Sequence, residues 1–244
     1  MKIFVYCYNK PEYLTPQIKC LRKFIKEPFD FYCIDNSKDP KLTSKFIGIC
    51  SQNEIIYTRN EKPDHSLEGL SHYAAMQWSW NNIINKTNEI IVMIDHDNFP
   101  IRELSIEKIL DNNVIAGVAQ SRGHVEYLNP ALMIFNTRLM PNKTNISFKG
   151  SLIENQATDI GGEIYFYFKD NPNVNKKFLK SGPILKDDPI LKDLAEKYGY
   201  PHTFDFIEDA FVHPRNGSNW SRVEQDEFNN REKLIFDLLD RNLK

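Results

Sequence analysis

The sequence predicts an α/β fold, a Rossmann-type domain in which helices flank a mainly parallel, mixed central sheet. In the first hundred residues, short apolar runs alternate with amphipathic segments and polar turns, which is the α/β pattern. The run IIVMI at 90–94 is continuously apolar, as is typical of a strand covered on both faces in a parallel sheet. The 244 residues contain no internal repeat, linker or low-complexity tract, so one domain over 1–244 is expected.

The first half of the chain gives the element order β-α-β-β-α-β. The first helix is predicted to begin at Thr15 as N-cap, with Pro16 as the first helical residue. The second runs from Ser66 to Ile84 and carries apolar residues on more than one face, so it should be buried. The predicted strands are 2–8, 29–34, 54–59 and 90–94.

The second half is less regular. Residues 159–169 fit either a helix or a strand, and the pattern leaves the choice open. The other predicted elements are strands at 113–120, 125–136 (with a break at Pro130) and 204–214, a polar loop at 141–158, a helix at 188–199, and a C-terminal amphipathic helix marked by Phe228, Ile235, Leu238 and Leu239.

Composition excludes several classes of partner. Lys and Arg number 31 against 33 Asp and Glu, for a net charge of −2, which gives no electrostatic reason to expect nucleic acid or an anionic membrane. No stretch is long enough to span a bilayer, and the N-terminus does not resemble a signal peptide. The cysteines form no CxxC pair and should be free thiols, which favours the cytoplasm: Cys7, Cys20, Cys33 and Cys50.

Three polar turns follow predicted strands. They are Tyr8-Asn9-Lys10, Asp35-Asn36-Ser37 and Asp95-His96-Asp97. In open α/β sheets, ligands bind at the carboxyl ends of the strands. If the strands are parallel, all three turns lie on one rim and form the expected ligand site.

Asp95 and Asp97 are one residue apart at the end of a buried strand. In an extended segment, residues i and i+2 point to the same side, so both carboxylates can approach one point. Hard divalent cations such as Mg²⁺ and Mn²⁺ take oxygen ligands and often share them with substrate phosphates. The competing interpretation is a polar turn that only caps the strand.

This placement resembles the Asp-x-Asp motif of the nucleotide-sugar glycosyltransferases of the GT-A fold. FVYCYNKPEYL resembles their first strand and loop, which opens on the nucleotide, and YCIDNSKDP resembles the second-strand turn that reads the base. FVHPRNGSNW resembles a C-terminal segment whose His completes the metal site. YLNPALMIFN and TDIGGEIYFYF resemble the acceptor-side half of small members.

The resemblance implies a nucleotide-sugar half at 1–100 and an acceptor-side half with a C-terminal helix at 101–244. Asp95, Asp97 and His213 would hold Mn²⁺ or Mg²⁺. The residues implied at the nucleotide are Tyr8, Asn9, Asp35, Asn36, Asp95, Arg215 and Ser218.

Each of these positions has a simpler alternative. Asp35 and Asn36 can form an ordinary turn, because Asx residues favour turns. His213 can be a satisfied core histidine among apolar neighbours. Arg215 can hold a phosphate by charge-assisted hydrogen bonds or lie with Ser218 in a surface loop.

An inverting transferase also needs a carboxylate that deprotonates the acceptor hydroxyl. Asp159 is the first candidate, because the glycines after it permit close approach of backbone or substrate. Asp209 is its rival and Glu163 comes third. Asp159 can alternatively be the N-cap of the following segment, and a retaining enzyme would not need this base in the same way.

The expected function is therefore metal-dependent, inverting transfer of a sugar from a nucleotide-diphosphate sugar to a glycan or other hydroxyl acceptor, with UDP favoured by superfamily frequency. His65 and His72 could reach donor sugar hydroxyls. One alternative is a non-catalytic nucleotide- or carbohydrate-binding domain on the same scaffold. Another is a sugar nucleotidyltransferase, but YCYNKPEYL lacks the glycines of a triphosphate loop.

Overall fold

The computed structural model describes residues 1–60, 70–183, 189–198, 204–214 and 225–244. The helices are α1 Leu14–Phe24, α2 Pro40–Gln52, α3 Leu70–Asn82, α4 Ile106–Leu110, α5 Ile164–Asp170, α6 Pro189–Tyr198 and α7 Gln225–Leu243. The strands are β1 Lys2–Cys7, β2 Asp30–Asp35, β3 Ile56–Arg59, β4 Ile90–Asp95, β5 Phe99–Pro100, β6 Ile115–Arg122, β7 Val125–Asn136, β8 Leu152–Ile153, β9 Gln156–Ala157, β10 Lys176–Leu179, β11 Ser181–Pro183, β12 Phe204–Ile207 and β13 Phe211–Pro214.

The central sheet has the strand order β10-β6-β7-β4-β1-β2-β3 within the described residues. Strand β7 runs antiparallel to both of its neighbours, β4 and β6. All the other pairings in this sheet are parallel. The predicted α/β class, with a mainly parallel mixed sheet flanked by helices, is confirmed.

The sheet is covered on both faces, as the apolar run at 90–94 predicts. On one face, Val92 and Ile94 pack with α1 residues such as Leu21. On the other face, Ile91 and Met93 pack with Trp80 of α3. Alternate residues of the strand pack into two separate cores, because successive side chains point to opposite sides of the sheet.

In the first half, one predicted helix boundary is wrong and one helix was missed. Helix α1 begins at Leu14, after a 3₁₀ turn at Pro11–Tyr13, so Thr15 lies inside the helix and does not cap it. Helix α2 was not predicted at all, although Asp39 accepts a hydrogen bond from the Lys41 amide at 2.8 Å and Pro40 opens the helix. Asp-Pro is therefore a helix start here, where it was interpreted only as a turn.

Strand β7 has the predicted bounds and an irregularity near Pro130. Leu128 pairs with Ala119 whereas Met133 pairs with Gly117, so the register shifts between these positions. The side chain of Asn129 accepts a hydrogen bond from the amide of Ala131 at 2.9 Å. This bulge makes a local turn inside the strand.

Later segments resolve the open choices. Residues 164–170 are helix α5, and the predicted loop at 141–158 includes the small β8–β9 hairpin. Residues 204–214 form a hairpin rather than one strand, because Glu208 and Asp209 take left-handed φ values of 51° and 54° and reverse the chain.

The hairpin belongs to a second sheet of order β11-β12-β13-β5. Its apolar residues pack with α7, which buries the predicted Ile235, Leu238 and Leu239, while the side chain of Phe228 lies outside the described residues. None of the helices in the described ranges combines the length and apolarity that a membrane crossing demands.

Candidate metal and nucleotide site

The carboxyl ends of β1, β2 and β4 meet at one rim of the central sheet. Strand β1 lies between the other two, with Cys7 opposite Asp35 and Tyr6 opposite Asp95. The turns after β1 and β2 are joined directly, because the Asn9 amide donates to Ser37 Oγ at 3.0 Å and the Lys38 amide donates to Asn9 Oδ1 at 3.0 Å. The predicted convergence of the three polar turns is confirmed.

The chain turns sharply after β4. The Asn98 amide donates to the Asp95 carbonyl at 3.1 Å and closes a four-residue turn. Asp97 is buried, and so is His96, whose ring packs against Tyr13 at 5.7 Å. His96 Nδ1 donates to the Tyr6 carbonyl at 3.1 Å, which holds the His96 ring against the sheet.

His213 joins Asp95 and Asp97 through the second sheet. Strand β13 pairs with β5, and Val212 lies opposite Phe99, two residues after Asp97. His213 Nε2 therefore lies 3.5 Å from Asp97 Oδ1. One ligand atom from each of Asp95, Asp97 and His213 lies within 4.8 Å of the other two.

His72 of α3 approaches the same group from the other side. Its Nε2 atom lies 3.1 Å from Asp95 Oδ1. That carboxylate oxygen is buried and forms no well-aligned hydrogen bond with any residue that the structure describes. This oxygen therefore has an ion-pair contact with His72, and it lies in a cluster of potential ligand atoms where a cation would add a further partner.

The charges in this cluster shift one another's pKa values. Burial raises the pKa of Asp97, but hydrogen bonding and charge from His213 outweigh burial, and the net shift is downward. Burial lowers the pKa of His213 and of His72, but the neighbouring carboxylates outweigh it, and both pKa values are raised. Burial dominates at His96, whose pKa is lowered.

The donor set fits a divalent cation. Two carboxylates and one imidazole supply oxygen and nitrogen ligands. Such a set suits Mn²⁺ and can also bind Mg²⁺. In the fold, His213 lies beside Asp97 and His72 lies beside Asp95, and each histidine offsets one carboxylate charge when it is protonated. The structure brings together the three residues that the sequence analysis assigned to the metal.

Asp35 lies at the centre of a second polar group on the rim. It is fully buried and accepts hydrogen bonds from the Ser37 amide at 2.8 Å, Tyr57 Oη at 2.9 Å and Arg59 Nη1 at 3.3 Å. Arg59 Nη2 also donates to the Ser37 carbonyl at 2.7 Å. These contacts fix the 35–37 turn. Among the described residues, the buried Asn36 Oδ1 has no hydrogen-bond partner.

Sequence reasoning missed Tyr57 and Arg59 because the site was predicted only from the polar turns after three other strands. Tyr57 and Arg59 lie within a strand whose following turn was not considered. The available signal was their position at the carboxyl end of EIIYTR, a strand predicted to lie in the same sheet. Tyr8 and Asn9 lie in the β1 turn as expected. Arg215, Ser218 and His65 lie outside the described residues.

The three candidate bases occupy different places. Asp159 is exposed, its Oδ1 accepts from the Ile160 amide at 2.8 Å, and its charge contributes to the raised pKa of His72. Helix α5 begins at Ile164, so Asp159 does not cap it. Glu163 directly precedes the helix and accepts from Ser147 Oγ at 2.7 Å.

Asp209 lies at the turn of the β12–β13 hairpin, at the opposite end of β13 from His213. Three residues lie between the two positions, and four extended steps of chain span at most roughly 13 Å. The structure therefore does not bring Asp209 to the cluster.

One of the glycines after Asp159 allows close approach, as predicted, and the group that approaches it is the backbone of Leu128. Gly161 has φ +91°, and a Cβ there would lie 2.1 Å from the carbonyl oxygen of Leu128. The Gly161 amide donates to the Phe148 carbonyl at 2.7 Å. The 158–163 segment is thus packed tightly against β7.

No protein-family model matches this sequence, and no curated protein is similar enough to count as a relative. Several solved structures are similar to it. The mannosyltransferase PcManGT from Pyrobaculum calidifontis, in complex with GDP-Man and Mn²⁺, is 8% identical, with 99% of this chain and 72% of that chain covered at a TM-score of 0.48. The S. aureus TarS 1–349 structure in complex with UDP-GlcNAc is 16% identical, with 96% and 64% covered at a TM-score of 0.47.

The galactosyltransferase LgtC, in complex with donor and acceptor sugar analogs, is 12% identical at a TM-score of 0.40. The match covers 57% of this chain and 58% of that one.

Proposed function

We propose that this chain is a metal-dependent glycosyltransferase that moves a sugar from a nucleotide-diphosphate sugar, with UDP favoured, to a hydroxyl of a glycan or other acceptor with inversion. One observation carries the proposal. Asp95, Asp97 and His213 converge at the carboxyl-terminal rim of β1, β2 and β4. Ligands of open α/β sheets bind at this rim, and an O,O,N donor set there suits a diphosphate-bound cation.

Asp95, Asp97 and His213 would hold Mn²⁺ or Mg²⁺. When bound, the cation would neutralise the diphosphate and favour its departure. His213 would bind the cation as neutral imidazole, so a protonated His213 would first have to release its proton. The buried position of Asp97 keeps its carboxylate from swinging into solvent.

The nucleotide would lie over the turns that follow β1 and β2. Tyr8, Asn9, Asp35 and Asn36 form the described part of this surface, and Arg215 and Ser218 would complete it. Asn36 Oδ1 supports this assignment, because it is a buried acceptor without a partner among the described residues. Asp35, which accepts hydrogen bonds from Tyr57, Arg59 and Ser37, would act by fixing the turn that carries Asn36.

Asp159 is the proposed base. It takes the proton of the acceptor hydroxyl while the hydroxyl oxygen bonds to the anomeric carbon and the bond from that carbon to the diphosphate oxygen breaks. Its exposure leaves it accessible to an acceptor, and its charge helps to raise the pKa of His72 in the cluster. Glu163 is the nearest alternative along the chain, and Asp209 is too far along the hairpin.

We further propose one domain over 1–244, with a donor half at 1–100 and an acceptor half at 101–244. The four cysteines are free and buried, which fits a reducing compartment and a cytoplasmic location.

The proposal is tested by titrating UDP and GDP into the protein by calorimetry, with Mn²⁺ and then with EDTA. Binding should require the cation for at least one of the two nucleotides. His213→Ala should weaken the cation-dependent part, whereas His124→Ala should not, because His124 pairs with Glu154 on the surface. Equal nucleotide affinity with and without the cation would exclude the metal-dependent mechanism.

A further inference from the structure

Gln17 of α1 is a fully buried polar residue that points at the turn carrying Asp97. Its Nε2 atom donates to the Asp95 carbonyl at 2.7 Å and to the Asn98 carbonyl at 2.8 Å. Both partners are carbonyl oxygens, so only the nitrogen of the side-chain amide can serve them. Gln17 is 0% exposed, so water does not substitute for either bond.

The two carbonyls belong to the first and last residues of one turn. The Asn98 amide also donates to the Asp95 carbonyl at 3.1 Å. One side-chain amide therefore ties together both ends of the four-residue turn and fixes it to α1. On the other side, Asn98 Nδ2 donates to the Ala131 carbonyl of the β7 bulge at 2.8 Å.

Within this turn, the position of Asp97 is set by the backbone that Gln17 holds. Asp97 is buried and meets His213, which comes from a different sheet. A cation site needs its ligand atoms within a few tenths of an ångström of their places. Without the amide of Gln17, the Asp95 and Asn98 carbonyls would lose a buried donor, and the turn would be free to relax away from His213.

We propose that Gln17 is a positioning residue that fixes the 95–98 turn so that Asp97 faces His213, and that it thereby sets the affinity for the divalent cation. The cation part rests on the proposed function. The fixing of the turn stands on the two hydrogen bonds alone. Groups that orient metal ligands typically change metal affinity by about 10–100-fold when they are removed.

The test uses Gln17→Met, which keeps the length of the side chain but removes its donor. Cys20→Ala is the matched control: Cys20 is also fully buried on α1, one turn further along, and its thiol forms no hydrogen bond to the 95–98 turn. Gln17→Leu serves as a second variant if Gln17→Met does not fold.

Mn²⁺ affinity is measured for the full chain by electron paramagnetic resonance, which distinguishes free from bound ion. Gln17→Met should weaken Mn²⁺ binding by about 10–100-fold. Cys20→Ala should change Mn²⁺ affinity by less than about threefold, even if it lowers the melting temperature as much as Gln17→Met does. Equal changes in the two variants would overturn the role in cation affinity, since both would then reflect general loss of stability.

The second readout needs no metal. Amide hydrogen exchange of Asn98 in EDTA should be accelerated at least about tenfold in Gln17→Met and little changed in Cys20→Ala, because the Asn98 amide closes the turn. Unchanged protection would overturn the positioning role. If the wild type binds no Mn²⁺ while Asn98 loses protection, the metal function fails and Gln17 still positions the turn.

Discussion

His213 Nε2 lies 3.5 Å from Asp97 Oδ1, although the two residues belong to strands and turns far apart in the chain. The contact exists because β13 pairs with β5, which directly follows the turn that carries Asp97. Each partner shifts the pKa of the other, upward for His213 and downward for Asp97. The two side chains form an ion pair when His213 is protonated, and the proposed function makes the same two side chains ligands of the cation.

The first prediction is a pH dependence of stability in EDTA. The pKa of His213 is raised, so its contribution is complete below the unfolded pKa of about 6.5 and is lost as pH rises through the folded pKa. The pKa of Asp97 is lowered, so its contribution is present above about 3.9 and is lost only as pH falls through the folded value. The pair should therefore stabilise the protein most at pH values between these two unfolded-state pKa values, from about 3.9 to about 6.5.

Urea unfolding at pH 6 and pH 8 checks this. The free energy of unfolding of the wild type should fall more between these pH values than that of the Asp97→Asn/His213→Gln double variant. Asp97 also raises the pKa values of His72 and His96, so the difference reports the pair together with these two couplings. Parallel pH profiles would show that the two side chains do not interact in solution. Mn²⁺ affinity should rise over the same pH interval, because the cation competes with the proton on His213.

The second prediction concerns the base. Asp159→Asn keeps the shape of the side chain but removes its proton-accepting power, so turnover should fall by about 10²–10⁴-fold with nucleotide affinity unchanged. Asp209→Asn is the control, because that residue lies at the far end of its hairpin. Transfer is measured with a panel of hydroxyl acceptors, or more weakly as donor hydrolysis. If Asp159→Asn transfers sugar at a near-normal rate and Glu163→Gln loses transfer, the base is Glu163.

The third prediction is a large effect of one added methyl group. Gly161→Ala should lower the free energy of unfolding by at least about 1–3 kcal/mol, the cost of a strained backbone residue, because φ is +91° and the Cβ would meet the Leu128 carbonyl. Gly48→Ala in α2, where a Cβ meets nothing within 4 Å, should instead gain about 0.5–1 kcal/mol. Equal stabilities of the two variants would mean that the 158–163 turn is packed differently.

The fourth prediction tests the polar group around Asp35. Tyr57→Phe removes one of its hydrogen bonds and should cost about 1–3 kcal/mol of unfolding free energy and weaken UDP binding, because the 35–37 turn loosens. Tyr32→Phe is the control. Its ring stacks on Phe4 at 4.6 Å, and the change leaves that packing in place. A loss of UDP affinity in both variants would indicate that the sheet, rather than the turn, was disturbed.

Local sequence patterns predicted six of the seven strands described in the central sheet and missed β10. The run at 90–94 is apolar because both of its faces are buried, and this pattern is visible without any knowledge of its neighbours. The position of Asp95 and Asp97 at its end followed from strand length alone. Helix α2 was missed because its Asp39-Pro40 start is also a common turn signal, and the apolar stripe behind it is weak.

The choice between helix and strand at 159–169, and between one strand and a hairpin at 204–214, could not be made locally. Aromatic residues suit either structure when they are buried, and what decided α5 was packing of Ile164, Tyr167 and Phe168 against the core. The hairpin turn at Glu208 and Asp209 uses two left-handed residues that are not glycine. Such a turn leaves almost no signature in the sequence.

By itself, the sequence determined the α/β class, the strand ends and the residue types available at the rim, because strand burial and turn chemistry are properties of a few neighbouring residues. Only the tertiary structure decided which of them meet. His213 reaches Asp97 through the pairing of β13 with β5, Gln17 reaches the 95–98 turn from α1, and Asp209 is carried away by its own hairpin. Contacts between distant segments depend on strand order and register, which come from packing of the whole chain.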